Sequence, residues 1–148
     1  MADVLVDTNV LVYAHDPGEP RKQHRAIAVL DGLHAAARGA LSVQSLGEFF
    51  VAATRGASPR LKLAAAARQV ERLVASWPIL DLTPAIVLEA GRGVTERKLS
   101  YFDAQLWATA RLNQLATIFS EDFPSGSTLD GVRFVNPFAP GFSLDAWL

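Results

Sequence analysis

Short apolar runs that end in polar residues alternate along this chain with longer stretches whose apolar positions recur every three or four residues. Val4-Leu5-Val6 followed by Asp7-Thr8-Asn9 has the pattern of a buried parallel strand, continuously apolar rather than alternating. Asp16-Pro17-Gly18 marks a loop. From Pro20 to about Ala37, residues Ile27, Leu30, Leu33 and Ala37 fall at helical spacing, with Gly39 read as the C-cap. Ala40-Leu41-Ser42-Val43 predicts a second strand. Ser45 opens a helix that runs to about Arg55 and stops at Gly56. The next helix runs from near Pro59 to about Ser76 through the alanines at 64–67. Ile79-Leu80-Asp81-Leu82 predicts a third strand. Thr83-Pro84 supplies an N-cap with proline at the first helical position. Ser100-Tyr101-Phe102-Asp103 opens a helix to about Asn113. Ala116 to Phe119 and Val132 to Val135 predict the fourth and fifth strands. This alternation predicts an α/β chain: a parallel sheet with helices on both faces.

With 148 residues, half of them hydrophobic and a fifth charged, the chain is long enough for a core and too apolar for wholesale disorder. The expectation is a single domain over 1–148, with the tail from about 139 to 148 unassigned. The chain has no cysteine, which excludes a disulfide scaffold, a thiolate zinc site and a thiol nucleophile. Asp3 and Asp7 stand where a secretory leader needs cationic and apolar residues, and no apolar stretch approaches the ~20 residues of a membrane span. The expectation is a cytoplasmic protein with no membrane partner. A net charge of −1 excludes nucleic-acid binding by overall charge, so such a role needs a local basic patch or a metal.

Ligands of parallel α/β sheets bind beyond the carboxyl ends of the strands. Asp7 follows the first strand and Asp122 the fourth; Glu48 and Asp103 fall in the first turns of two helices. If the first and fourth strands are neighbours, these acids converge. Like charges so placed raise each other's pKa, and a divalent cation relieves the repulsion. Oxygen donors without His or Cys select Mg²⁺ or Mn²⁺, which suits phosphodiester hydrolysis. Each acid alone also has a structural reading. Ser45-x-x-Glu48 and Ser100-x-x-Asp103 match capping boxes, and a lone Asp after a strand is commonly a turn or N-cap residue. The joint occurrence of the four favours a site. Thr8 and Ser120 neighbour two of the acids, either orienting a carboxylate or capping a turn. Asn9 either ties the first loop to the acids or forms an Asx turn. Glu121 and Asp122 are adjacent and point apart, so one ligates; Asp122 is the choice and Glu121 the fallback.

The ordered set Val6-Asp7-Thr8-Asn9, Ser45-Leu46-Gly47-Glu48, Leu99-Ser100-Tyr101-Phe102-Asp103-Ala104 and Ile118-Phe119-Ser120-Glu121-Asp122-Phe123 resembles the PIN domain, and within it the VapC-type toxins. Val135-Asn136-Pro137-Phe138 is similar to the family's ending. The resemblance implies a three-layer α/β/α sandwich and a Mg²⁺-dependent ribonuclease with Asp7, Glu48, Asp103 and Asp122 as its acidic pocket. It further implies an RNA substrate, a helix-built homodimer and a small co-encoded antitoxin that blocks the pocket. The alternative is a catalytically inactive PIN-like module that binds RNA or protein. A phosphoacceptor domain lacks its late-strand lysine here, and a haloacid-type phosphatase lacks its second aspartate, since position 9 is Asn.

Two basic clusters, Arg92-Arg97-Lys98 and Arg21-Lys22-His24-Arg25, are read either as phosphate contacts or as solvated helix ends, with the second favoured. The three tryptophans, Trp77, Trp107 and Trp147, are expected to pack, and the three histidines show no metal spacing.

Overall fold

The computed structural model describes residues 1–148. Its elements in chain order are β1 (Val4–Val6), α1 (Thr8–Tyr13), α2 (Pro20–Ala35), β2 (Gly39–Ser42), α3 (Val43–Thr54), α4 (Leu63–Ser76), β3 (Ile79–Leu80), α5 (Pro84–Arg97), α6 (Tyr101–Leu112), β4 (Thr117–Phe119), β5 (Thr128–Leu129), β6 (Val132–Val135) and a final 3₁₀ turn over Leu144–Trp147. The strands form one six-stranded sheet in the order β3-β2-β1-β4-β6-β5. All neighbours are parallel except β5, which pairs antiparallel with β6. No helix is long and apolar enough to cross a membrane.

Successive side chains of a strand point to opposite faces, so strands that are apolar throughout require a core on each side. Val4, Val6, Leu41, Phe119 and Val135 pack with Val10, Leu11, Val29, Leu33 and Phe49 of the first three helices. Leu5, Ala40, Ile118 and Phe134 pack on the opposite face with Ile86, Ala90, Leu106 and Trp107 of α5 and α6. The expected parallel sheet with helices on both faces is therefore what forms, and the sandwich has three layers.

Five local features depart from the sequence reading. Helix α1 was not expected, because Val10, Val12 and the short polar start disfavour helix; it forms because Asp7 caps Thr8 N–H and Val10 and Leu11 are buried. Gly39 is not a C-cap but the first residue of β2. The Trp77 ring covers it so closely that a Cβ there would meet Cζ3 at 2.4 Å. The left-handed residue ending α2 is Ala37, at φ 54°, with Arg38 N–H donating to Leu33 O and Ala37 N–H to His34 O, which is a Schellman closure. Ala37→Gly is expected to raise stability by about 0.5–1 kcal/mol, since glycine bears no Cβ penalty in this conformation. The readout is a higher urea midpoint at unchanged slope. A lower midpoint would mean that glycine's extra freedom in the unfolded chain outweighs the strain relieved.

The third departure is the start of α3. Ser42, not Ser45, is its N-cap, its Oγ accepting from Ser45 N–H at 3.0 Å. Glu48 is then the sixth helical residue, and the Ser45-x-x-Glu48 capping box does not form. Ser100 does occupy the N-cap of α6, but its side chain makes no capping bond to Asp103's turn. The fourth is β5, joined to β6 by Asp130-Gly131, both at positive φ, the two-residue hairpin turn that Asp-Gly favours. Helix α4 also starts at Leu63 rather than near Pro59.

The expected Thr83 cap holds, accepting from Ile86 N–H with Pro84 at the first position. The C-terminal tail folds back on the body: Phe142 and Trp147 both stand edge-on to Phe119, at 5.5 and 5.1 Å between ring centroids.

An acid-lined cleft at the strand ends

β1 and β4 are neighbours in register Val6↔Phe119, so the chain leaves both strands at the same edge. Asp7 and Ser120 follow directly. Asp7, 8% exposed, accepts from Thr8 N–H at 2.7 Å on Oδ1 and from the Ser120 hydroxyl at 2.7 Å on Oδ2. It is thus a helix cap and a cleft acid at once. Burial pushes its carboxyl from an ordinary 3.8 up to about 6; the bonds from Ser120 and Thr8 oppose the rise, and the nearby charges of Asp122 and Glu48 add to it.

Asn9 ties the two loops together. Its Nδ2 lies 3.1 Å from Ser120 Oγ, 3.2 Å from Asp122 Oδ2 and 3.4 Å from Asp7 Oδ2, while its buried Oδ1 has no partner. Ser120 Oγ also accepts from Asp122 N–H at 3.0 Å. These bonds go to other loops and residues, so Asn9 and Ser120 do more than turn their own backbone. The Thr8 hydroxyl reaches Glu48 Oε1 at 3.5 Å, the long limit of a hydrogen bond.

Asp7, Glu48, Asp103 and Asp122 line one cleft of about 740 Å³ between α1, α3 and α6. Glu121 faces elsewhere. Its carboxylate accepts from the Tyr13 hydroxyl at 2.6 Å and pairs with Lys22 at 2.9 Å, which leaves Asp122 as the acid on the cleft. The hydrogen bond to Glu121 holds Lys22 firmly protonated.

No group of three or more His, Asp or Glu side chains closes around a single point that would hold a metal ion. In kind, however, the donors fit a hard divalent cation. All four are carboxylates, none of the histidines lines the cleft, and the buried Asp7 carries a charge that its surroundings penalise.

The basic clusters are mostly engaged. Arg92 pairs with Glu89, Glu96 and Asp130, and Arg97 with Asp130, so these two buttress α5 against the β5–β6 hairpin rather than facing the cleft. Arg25 donates to Pro137 O. Trp77 and Trp107 are buried as expected.

Sequence reading missed the cleft's other residues, Arg55, Arg60 and Gln44 among them. Arg60 pairs with Asp16 at 3.0 Å, whereas Arg55, at the C-cap of α3, forms no salt bridge. Nothing in their local sequence marks them; only the packing of α3 beside α1 and α6 brings them to the acids.

A parallel α/β/α sandwich that gathers acids at the ends of its two central strands defines the class of molecule. The chain belongs to the PIN domain family, whose model matches residues 4–123. The sheet continues beyond that range through β5 and β6. Three solved structures share the fold, each with a TM-score of 0.63. One is a toxin–antitoxin complex from Klebsiella pneumoniae, at 20% identity over 90% of this chain and 97% of the other. The second is VapC20 of Mycobacterium tuberculosis, a Sarcin-Ricin loop cleaving toxin, at 22% identity over 86% and 97%. The third is DNA-bound VapBC from Salmonella typhimurium, at 17% identity over 90% and 97%. No curated protein sequence matches the chain.

Proposed function

We propose that this protein is a metal-dependent ribonuclease and the toxin of a toxin–antitoxin pair. The observation that carries the reading is the cleft itself: Asp7, Glu48, Asp103 and Asp122 line it, and Asp7 is buried there. Asp7, Glu48, Asp103 and Asp122 would hold Mg²⁺ or Mn²⁺. When bound, such an ion neutralises the acids, engages phosphate oxygens and lowers the pKa of a bound water.

The protein's own groups do the positioning. Ser120 and Thr8 N–H fix the Asp7 carboxylate through one bond to each oxygen. Asn9 holds the Asp122 carboxylate toward Asp7 despite their like charge, by donating between them. Arg55 supplies a cation free to meet a substrate phosphate on the lip of an otherwise acidic cleft.

RNA cleavage is expected to require Mg²⁺ or Mn²⁺ and to stop in excess EDTA. Asp122→Asn is expected to abolish it, while Glu121→Gln, whose parent side chain faces Tyr13 and Lys22, leaves it within about threefold; the measured quantity is cleavage of a labelled oligoribonucleotide. Cleavage undiminished by EDTA overturns the metal mechanism. The second reading, an inactive PIN-like binding module, draws on the absence of any three acids closed around one point. Metal-saturated protein that binds RNA and never cuts it would establish that reading instead.

The neighbouring toxin–antitoxin and VapBC complexes support a small protein partner for this chain. An antitoxin arginine suits the acidic cleft, since its planar fork matches paired carboxylates. The flanking apolar residues of such a partner fit the groove of about 340 Å³ that Ile27, Leu30 and Leu11 line on the far side of α1. Phe49 serves this groove from the core, being only 1% exposed. A homodimer through α4 is part of the same proposal; Leu63 and Val74 lie exposed on that helix.

A further inference from the structure

Phe102 is 63% exposed, although it lies in the first turn of a helix that is buried from Ala104 through Ala110. It is also the residue before Asp103, and both line the acid cleft. A single exposed apolar side chain is ordinary on a protein surface; what sets Phe102 apart is that the most exposed aromatic ring of the chain stands beside Asp103 on a polar cleft.

The backbone beneath the ring is held in place. Gln44 of α3 donates its amide to Phe102 O at 3.0 Å. Gln105 donates to Gln44 Oε1 at 3.0 Å, and the Tyr101 hydroxyl donates to Gln105 Oε1 at 2.9 Å. This chain of amides ties the first turn of α6 to α3 across the cleft. Tyr101 stands edge-on to Phe102, with centroids 5.2 Å apart and planes at 82°, so it braces the ring without stacking on it. A braced ring loses little freedom on binding a flat partner, which is the property a stacking platform needs.

We infer that Phe102 is the platform on which a nucleobase of the RNA substrate stacks, placing the adjoining phosphate at Asp103 and the other cleft acids. This rests on the ribonuclease reading and deepens it by naming a residue that positions the substrate. A base can lie on the ring only when it is out of its own helical stack, so the substrate is a single strand or an open loop rather than a duplex. Arg55 lies on the same cleft without a carboxylate partner, available to the flanking phosphate.

The test begins with the cut site that wild-type protein makes in a single-stranded oligoribonucleotide in Mg²⁺. Phe102→Ala is expected to lower kcat/KM about 10-fold, mainly through KM, and Phe102→Trp to restore it. An oligonucleotide made abasic beside the mapped cut should cost the wild type a similar factor. Phe102→Ala should lose nothing further on that abasic strand, because ring and base act as one pair. The same sequence annealed to its complement should be cut poorly by the wild type.

Equal kcat/KM for wild type and Phe102→Ala, or losses that multiply on the abasic strand, would overturn the stacking assignment while leaving the nuclease reading intact. Light scattering that showed Phe102→Ala converting a dimer to a monomer would overturn it too, by making the ring an interface residue. Absence of metal-dependent cleavage by the wild type would remove the reading on which the inference rests.

Discussion

Asp7→Asn is expected to cut RNA cleavage about 100-fold or more while making the metal-free protein more stable. The loss follows from position: changes merely behind a metal ligand cost about 10–100-fold, and Asp7 is proposed to ligate directly. The gain follows from burial. A rise from 3.8 to about 6 corresponds to a penalty of about 3 kcal/mol for keeping this carboxylate ionised at neutral pH.

The sign is fixed by linkage. Between pH 3.8 and about 6 the unfolded chain has released the Asp7 proton and the folded protein still holds it. Asp7 therefore lowers stability progressively as pH rises through that window, and its cost is constant above it. In a chelator the Tm advantage of Asp7→Asn over wild type should grow from pH 4 to 6 and level off, reaching about 5–10 °C. Added Mn²⁺ should raise the Tm of wild type and leave the variant unmoved. A variant melting below wild type throughout, with no pH dependence in the difference, would show that Asp7 is chiefly a cap for Thr8.

Trp107→Ala is expected to cost about 3–5 kcal/mol, the largest effect of any single truncation in the molecule. Trp107 is fully buried at the centre of the α5–α6 layer. Its ring lies against Gly93, where a Cβ would meet Cζ3 at 2.9 Å, and its Nε1 donates to Leu129 O at 3.1 Å. Truncation leaves a cavity between two helices whose close approach depends on that glycine, and strips a bond from the β5–β6 hairpin. Trp107→Phe keeps most of the volume and loses the bond, so it should cost about 1–2 kcal/mol. Urea unfolding at constant slope separates the two; a cost below about 1 kcal/mol for the alanine variant would mean that α5 and α6 collapse onto the gap.

The acids were legible in the sequence because their signal is positional: an Asp after a short apolar run is at a strand end whichever strands become neighbours. Adjacency argued only that one of Glu121 and Asp122 faces the cleft; the bonds from Tyr13 and Lys22 hold Glu121 away from it and leave Asp122 there. Glu48 was expected in the first turn of its helix; it is the sixth residue of a helix that starts at Val43, and the box with Ser45 that offered it a purely structural role does not form. Helix α1 was hidden because propensity is local and weak, whereas the burial of Val10 and Leu11 that stabilises it is tertiary. Gly39 misled similarly: its small size serves the Trp77 ring, a contact between positions 38 residues apart in sequence. Arg55 and Phe102 carry no pattern of their own, and their significance depends on where α3 and α6 bring them.

The pairing of β1 with β4 also sets when the cleft can exist. Ser120, which bonds Asp7, and Asp122, which Asn9 bridges to it, are made more than 110 residues after Asp7. Until β4 emerges, β1 lacks its central neighbour and the acids remain on separate ends of an unfinished chain. Long-range parallel pairing of this kind is slow to form. The four acids therefore come together only after β4 is made, and the interval before the cleft assembles is written into the order of the strands.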